Sequence, residues 1–189
     1  FLWPAYAEQD LSRFLEPSSL TEPLGRDQLG RSVIARLAHA AQRSLGLSLF
    51  CVLTAAVLGG ALGVLSSWRG GWIDTLLRSL SDAMLALPGL LIVLIVSAMA
   101  LGGFWTLYAG LALAQWVEYF RLVRARSRVI LSSPHVEAAR LLGFGPLYIV
   151  RCHVWPELRP LLLTLMAFGL ANAVLALSTL GYIGVGLQP

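Results

Sequence analysis

Three long stretches of this chain contain no charged residue, and they constrain its fold more than any other feature. They run from Ser44 to Trp68, from Ala83 to Val117 and from Pro160 to Pro189. A helix that crosses a bilayer needs about 20 predominantly apolar residues, so each stretch is long enough to span one. Only 13% of the 189 residues are charged, against about 25% in soluble domains. The composition therefore argues against a water-soluble fold.

The middle stretch is too long for a single helix. Pro88-Gly89 lies near its start and Gly102-Gly103 near its centre, and glycine and proline pairs of this kind mark breaks. We therefore predict an all-α, polytopic membrane helix bundle, with a transmembrane domain over residues 44–189. The predicted spans are residues 44–68, 77–101, 104–119 and 161–180.

The arginines predict the orientation of this bundle. Seven of them lie between Glu118 and Arg159, and the loops that are richer in arginine face the cytoplasm. An arginine at the bilayer centre costs about 2.5 to 3.5 kcal/mol, so this loop cannot lie within the membrane. We predict a cytoplasmic loop over residues 120–159 and an extracytoplasmic segment over residues 1–43.

The extracytoplasmic segment contains a candidate helix. Asp27 is a plausible N-cap, and apolar residues recur at helical spacing from Leu29 to Ala41. This pattern predicts an amphipathic helix that lies on the membrane surface and runs into the first span.

Small residues recur every fourth position within the first span, at Ala55, Gly59 and Gly63. This spacing lets two helix backbones approach closely. The contact is either between helices of this chain or with another subunit, and the sequence leaves both open.

Several function classes are excluded by missing residues. All 14 basic residues are arginine, so the chain has no lysine to bind a nucleotide phosphate or to form a Schiff base. We expect no enzymatic activity and no bound cofactor. We expect no metal site either, because His39 lies outside while His135 and His153 lie in the cytoplasmic loop. The basic residues lie between spans rather than on a soluble domain, which argues against nucleic-acid binding.

The cytoplasmic loop contains its own helical signals. Ser132-Ser133-Pro134 is a helix start, and Glu137 can complement the helix dipole in the first turn. Gly143 is expected to stop this helix. A second short helix is predicted from about Pro146 to Val154, bounded afterwards by Pro156.

The composition of this loop suggests contact with another protein. Ala138 and Ala139 leave room for a second surface to approach the backbone, while Leu142, Phe144 and Tyr148 can fill apolar pockets. The alternative is a loop that packs only on its own bundle. The residues alone do not decide between the two.

A spacing pattern in this loop resembles a known family. Glu137-Ala138-Ala139, then three residues, Gly143, nine residues, His153 and finally Pro156 are similar to the EAA loop of binding-protein-dependent ABC importer permeases. Trp155 departs from the leucine that is usual in this pattern.

Two further segments resemble the same family. Pro23 to Arg31 is similar to the segment that precedes the second span in C-type subunits of the dipeptide, oligopeptide and nickel branch, with Arg26 in place of threonine and Ser32 in place of a following aspartate. Leu177 to Pro189 resembles their LSFLGLGVQPP stretch. The resemblance implies the MetI-like permease fold, of whose six spans we expect about four here.

This resemblance implies a set of partners. A C-type subunit pairs with a homologous B-type permease subunit in a bacterial inner membrane and receives its cargo from an extracytoplasmic solute-binding protein. Two ATPase subunits, which bind ATP and Mg²⁺, drive transport. The cargo is implied to be peptides, nickel or nickel chelates, or a related small solute.

The resemblance also implies roles for residues of the loop. Glu137 would make polar contacts with the ATPase, Ala138 and Ala139 would allow its close approach, Gly143 would permit the turn, and Pro156 would set the return to the membrane. The predicted ATPase-coupling residues are Glu137, Ala138, Ala139, Leu142, Gly143, Phe144, His153 and Pro156.

The transport pathway has weaker candidates. Polar or soft side chains within spans are functional candidates, and here they are Asp82, Met84, Asn172 and Ser178. For Ser178, and also for Gln115, a hydrogen bond between helices is the alternative.

Two other classes stay as alternatives. A secondary transporter uses intramembrane charges and internal repeats, but only Asp82 is a candidate charge and no repeat is visible. A membrane enzyme needs a nucleophile and base or a metal cluster, and the sequence contains no such arrangement.

Overall fold

The computed structural model describes residues 9–20, 22–99 and 103–184. These residues form two compact units, one up to Gly46 and one from Leu47 onward. The part of the chain described contains α-helices and no β-strand, which confirms the all-α prediction. The helices are α1 (Val33–Arg69), α2 (Gly71–Leu85), α3 (Gly89–Met99), α4 (Phe104–Leu131), α5 (Pro134–Leu141), α6 (Pro146–Ile149) and α7 (Trp155–Tyr182).

The predicted N-cap at Asp27 is wrong, because α1 begins only at Val33. The Asp27 carboxylate accepts hydrogen bonds from the backbone N–H groups of Leu29 and Arg31, at 2.8 and 3.0 Å. Side chains that bond nearby backbone in this way favour turns over helix. Gly30, with φ of +68°, completes the turn in a conformation that suits glycine.

The residues predicted to form the first span are part of a longer helix. Residues 44–68 lie within α1, which extends without a break from Val33 to Arg69. The helix therefore does run into the span, as expected. Its position on a membrane surface before residue 44 stays a prediction.

The predicted single helix over residues 77–101 is wrong. α2 ends at Leu85, α3 begins at Gly89, and the two helices meet at an angle of 85°. Pro88 has no N–H to donate and disfavours helical backbone at the residue before it. Its own carbonyl accepts from the N–H groups of Leu91 and Ile92, which starts α3 anew. Residues 100–101 lie outside the described part of the chain.

The helix predicted to begin at Phe104 does begin there, but the predicted loop from residue 120 is wrong. α4 continues to Leu131, so the arginine-rich segment is helical. Arginine is a good helix former, and this extension buries Val123, Ser127 and Ile130 on one side. Packing therefore favours the helix beyond the end of its apolar part.

The predicted helix end at Pro156 is also wrong. α6, a π-helical turn over Val150–Val154 and α7 follow one another without a break. Pro156 is the second residue of α7, and a proline at the start of a regular helix removes few hydrogen bonds. Residues 161–180, the predicted last span, lie within α7, and their crossing of the membrane stays a prediction.

Two helical segments of the described chain are long and apolar enough to cross a membrane, Val33–Arg69 and Pro146–Tyr182. The bent pair of α2 and α3 adds a third if it counts as one span. α4 is not among these segments. A span over residues 104–119 stays a prediction.

The small residues of α1 pack inside the second unit. A methyl group on Gly59 would lie only 2.4 Å from the Trp116 carbonyl oxygen of α4, which is too close for a carbon–oxygen contact. Gly63 would meet the Phe120 carbonyl oxygen at 2.9 Å. The small residues that recur every fourth position in α1 thus contact another helix of this chain, α4.

Polar contacts join α4 to α7. The Gln115 side chain donates to the Gly169 carbonyl at 3.2 Å, and the Tyr119 hydroxyl donates to the Leu165 carbonyl at 3.1 Å. The hydrogen bond between helices considered for Gln115 is confirmed. These contacts fix the register of the two helices that flank α5.

Candidate functional site

The segment from α5 to the start of α7 holds most of the predicted coupling residues. α5 starts where the sequence predicts, with Ser133 before its first residue and Pro134 at its first position. Glu137 lies in the first turn, where a negative charge is favourable at the positive end of the helix dipole. Within the described residues, its carboxylate has no hydrogen bond or ion pair.

The C-terminus of α5 ends in a Schellman motif. The Gly143 N–H donates to the Arg140 carbonyl at 3.0 Å, and the Phe144 N–H donates to the Ala139 carbonyl at 3.1 Å. Gly143 has φ of +83°, a left-handed conformation that glycine adopts without a steric penalty. The prediction that Gly143 stops this helix is confirmed.

The two alanines of α5 have different surroundings. Ala139 is buried with Val136 in a cluster that includes Ile130 and Leu158. Its small side chain therefore fits against the chain's own helices. Ala138 is exposed, so room for a second protein exists at that position only.

Beyond α5, several large apolar side chains are exposed, and one of them, Leu147, also lies at an apolar groove lined by residues of α1 and α7. Leu142 is 76% exposed and Leu147 is 82% exposed, while the rings of Phe144 and Tyr148 stack with centroids 4.3 Å apart. Apolar side chains grouped on a surface mark contact sites. We call this group the α5–α6 surface, and it consists of Leu141, Leu142, Phe144, Leu147 and Tyr148.

Two histidines border this surface. The ring of His153 lies 5.4 Å from that of His135 and 6.1 Å from that of Tyr148. His153 is half-buried, and Pro156 is exposed on α7 one turn away. His153 therefore lies beside Tyr148 at the edge of the α5–α6 surface.

A buried polar cluster that the sequence analysis missed lies at the same end of the second unit. Asp74 of α2 is 5% exposed. Its carboxylate accepts from the Arg124 guanidinium at 2.5 and 2.7 Å, from Arg128 at 2.7 Å and from the Ser66 hydroxyl at 2.5 Å. This Asp74 cluster joins α1, α2 and α4 through charge-assisted hydrogen bonds.

A further contact ties α5 to the end of α1. The Arg140 guanidinium lies over the Trp68 ring, 5.3 Å from its centroid, a favourable cation–π geometry. The Ser67 hydroxyl also donates to the Arg124 carbonyl at 2.9 Å. The end of α1, the start of α2, the end of α4 and α5 thus form one basic end of the unit.

A sequence signal for the Asp74 cluster did exist. Asp74, Arg78 and Asp82 recur every fourth residue, and Arg124 and Arg128 are also four apart, which places each set on one helix face. The prediction that α4 ends near residue 119 hid the second set. Which helix faces meet depends on the tertiary structure.

The first unit contains a second group of paired charges, in the segment that resembles the C-type subunits. Arg26 donates to Glu22 at 3.1 Å and to the Gly30 carbonyl at 2.7 Å, and the Ser32 hydroxyl donates to Glu22 at 2.6 Å. The two departures from the family pattern, Arg26 and Ser32, thus share one acidic partner. We call residues 22–36 the charged loop.

Asp27 is the other acidic centre of the charged loop. Its carboxylate pairs with Arg31 at 3.0 Å and with Arg36 at 2.5 Å. Partial desolvation raises the pKa of Asp27, but the backbone N–H groups of Arg31 and Leu29 and the Arg31 guanidinium outweigh it and lower that pKa to about 2. Asp27 is therefore ionised at all physiological pH values.

The four predicted pathway residues do not form one site. Asp82 lines a cavity with arginines of α4, and Met84 packs against the core cluster around Trp116. Asn172 is exposed on α7, and so is Ser178, whose hydroxyl donates to the Val174 carbonyl of its own helix at 2.9 Å. No contact of the described residues connects them.

In the part of the chain that the structure describes, no three His, Cys, Asp or Glu side chains lie close enough together to bind a metal ion. Cys51 is buried, Cys152 is exposed, and neither is in a disulfide.

The chain is similar to named transport proteins. It is 35% identical over 175 residues to a permease protein named for a peptide transport system in Brucella suis, and the alignment covers 92% of this chain and 58% of that protein. A protein of the same description in Brucella abortus matches equally. The dipeptide transport system permease protein of Haemophilus influenzae is 30% identical over 166 residues, which cover 88% of this chain and 56% of that protein.

The chain thus spans somewhat more than half the length of these curated relatives. The family described as "Binding-protein-dependent transport system inner membrane component" matches residues 46–189, which include every helix of the second unit. The chain belongs to this family of inner membrane transport components.

Proposed function

We propose that this chain is a transmembrane subunit of a binding-protein-dependent ABC importer, and that the α5–α6 surface is where an ATPase subunit docks. The observation that carries the proposal is the contrast within this segment. Its backbone is fixed by the Schellman motif at Gly143, while Leu142 and Leu147 remain exposed. Exposed apolar side chains on a rigid backbone are the arrangement expected of interface anchors.

The charge of this end supports a cytoplasmic position for it. The end of α4 and α5 are rich in arginine, and short arginine-rich segments beside spans face the cytoplasm. ATP is available on that side. The charged loop of the first unit then lies on the extracytoplasmic side, where a solute-binding protein delivers cargo.

Glu137 and Ala138 extend the proposed docking surface to α5. Both are exposed, and the Glu137 carboxylate is available for a polar contact with the ATPase. Ala138 lets the ATPase surface come near the α5 backbone. Ala139 has a different role in this proposal, because its burial positions α5 on the bundle.

The cargo follows from the relatives only. Two of them are named for peptide transport and one for dipeptide transport, so we propose a short peptide as the cargo of the assembled importer. A B-type permease subunit would form the other half of the pathway. Two ATPase subunits would bind the ATP and Mg²⁺, since this chain has no lysine for a nucleotide phosphate.

The test is co-purification of the ATPase subunits with the full chain. Leu142→Ser with Leu147→Ser should lower the affinity for the ATPase by about a hundredfold or more, and its recovery with it, because interface anchors of this kind contribute about 2 kcal/mol or more each. Leu11→Ser with Leu20→Ser removes two exposed leucines of the first unit and serves as the matched control.

Two results would contradict the proposal. One is equal ATPase recovery with the test variant and the control. The other is uptake by reconstituted vesicles that continues without ATP but depends on an ion gradient, which would favour a secondary transporter.

A further inference from the structure

A cavity of about 400 Å³ lies between α2 and α4, beside the Asp74 cluster. Its lining is strongly basic, and it is separate from the α5–α6 surface. Six of its lining residues are polar or charged, namely Arg78, Ser81, Asp82, Arg121, Arg124 and Arg128.

The cavity has more positive charge than its carboxylates balance. Arg124 and Arg128 bind Asp74, whereas Arg78 and Arg121 have no ion pair within the described residues. Asp82 lines the cavity, and Asp74 binds two of its arginines, whereas the exposed Glu118 of α4 is not among the lining residues. Four guanidinium groups therefore face two carboxylates, which leaves two positive charges in excess.

A buried hydroxyl also lacks a partner at this cavity. Ser81 is 1% exposed, and its Oγ has no hydrogen bond to any described residue. A buried polar group without a partner is costly, so such groups usually have a ligand or water beside them. A hydroxyl together with guanidinium groups can donate several hydrogen bonds to one anion.

The geometry points to a phosphate group as the ligand, and we propose that it is the headgroup of an anionic phospholipid. Planar guanidinium groups bind phosphate oxygens in pairs. Basic pockets between membrane helices on the cytoplasmic side accept anionic headgroups. The arginines of α4 that line the cavity follow directly after the uncharged part of the helix, which ends at Val117, and this places them at the level expected for headgroups.

The test measures lipid retention by the full chain, purified together with any subunits that accompany it. The protein is placed in nanodiscs of equal phosphatidylcholine and phosphatidylglycerol, extracted, and analysed by native mass spectrometry. We expect retained phosphatidylglycerol to exceed phosphatidylcholine. Arg78→Gln with Arg121→Gln should reduce this enrichment by about tenfold, from the loss of two basic contacts.

The matched control removes two arginines outside the cavity. Arg69 and Arg151 are exposed and do not line it, so Arg69→Gln with Arg151→Gln changes the net charge equally and should leave the enrichment unchanged. Equal enrichment in the test and control variants would overturn the proposal.

A second variant tests the hydroxyl without changing any charge. Ser81→Ala should lower phosphatidylglycerol retention by about threefold, because one hydrogen bond to the headgroup is lost. The thermal midpoint of the lipid-free protein should not fall, since the Ser81 hydroxyl bonds nothing there. Unchanged retention would contradict its role as a ligand donor.

A separate arm distinguishes a lipid from a soluble anion. Inorganic phosphate at millimolar concentration is added to the protein in phosphatidylcholine alone, and the thermal midpoint is measured. A rise that needs Arg78 and Arg121, without phosphatidylglycerol enrichment, would support the phosphate site but assign it to a soluble ligand. Neither effect depends on ATPase docking, so failure here leaves the proposed function untouched.

Discussion

The Asp74 cluster and the α5–α6 surface lie in the same unit, yet they use their side chains in opposite ways. Every carboxylate oxygen of Asp74 has a donor within the chain. The side chains of Leu142 and Leu147, by contrast, remain 76% and 82% exposed. The difference shows that buried charge pairs hold this end of the bundle together. The exposed apolar side chains beside them therefore remain available for a partner.

The largest expected effect comes from removing the buried carboxylate. Asp74→Asn leaves Arg124, whose side chain is 14% exposed, without its counter-charge. Breaking a buried pair from one side costs about 3 to 5 kcal/mol. We expect a large fall in the thermal midpoint of the detergent-solubilised protein. If the α5–α6 surface rests on this cluster, ATPase recovery should fall with it.

Two controls separate this loss from a general effect of charge. Asp82→Asn removes an exposed carboxylate with no ion pair in the described chain and should change the midpoint little. Asp74→Leu with Arg124→Leu removes both charges and should recover part of the stability, because an apolar pair carries no desolvation cost. A double variant as unstable as Asp74→Asn would contradict this account.

The second largest effect tests the packing of α1 against α4, the two helices that carry part of the Asp74 cluster. Gly59→Ala places a methyl group 2.4 Å from the Trp116 carbonyl oxygen, and overpacking of this kind costs about 1 to 3 kcal/mol. The adjacent Gly60 has only a leucine methyl at 3.9 Å, so Gly60→Ala is the matched control. Equal midpoints for the two variants would show that α1 and α4 are not packed this closely.

The third effect concerns the backbone beside the exposed surface. Gly143→Val forces a β-branched residue to φ of +83°, at a cost of about 1 to 2 kcal/mol. We expect a modest loss of stability but uncoupling of ATP hydrolysis from uptake, since the turn that presents Leu142 is altered. Gly143→Asn should retain coupling, because asparagine tolerates left-handed backbone. Normal coupling in the Gly143→Val variant would contradict the role assigned to this turn.

The smallest effect extends the comparison to Asp27, which also pairs with two arginines but in a loop, where its side chain is 16% exposed. Its folded pKa of about 2 lies below the unfolded value of about 3.9. The carboxylate therefore stabilises the charged loop at all pH values above about 4, and this contribution is lost as the pH falls toward 2.

Amide exchange measures this loss directly. The N–H groups of Leu29 and Arg31 donate hydrogen bonds to the Asp27 carboxylate. Their protection against exchange should decrease between pH 4 and pH 2, after correction for the intrinsic exchange rates. Asp27→Asn at pH 7 should show much of the same decrease. Protection that is independent of pH in this range would contradict the assigned contacts.

Local signals predicted much of the fold. The start of α4 at Phe104, the start of α5 after Ser133 and its end at Gly143 all follow from residues within one turn of the boundary. Capping, proline and glycine preferences act over such distances. The errors at Asp27 and Pro156 arose where a second local interaction, a side-chain turn or a π-helical turn, competed with the expected one.

The candidate site was predicted only in part, for a different reason. The sequence predicted one shared role for Ala138 and Ala139 of α5, while burial separates them. It also gave no role to Asp74, since the residue that neutralises it, Arg124, lies 50 positions away. Pairing at that distance depends on which helix faces meet.

The sequence by itself determined that this chain is a helical membrane protein with an arginine-rich segment, because long uncharged stretches and glycine or proline breaks act without reference to the rest of the molecule. Only the tertiary structure decided which arginines are neutralised and which remain free. Arg124 and Arg128 meet a buried carboxylate, and Arg78 and Arg121 do not. Electrostatic pairing requires contact within about 4 Å, and the packing of α1, α2 and α4 alone brings those groups together.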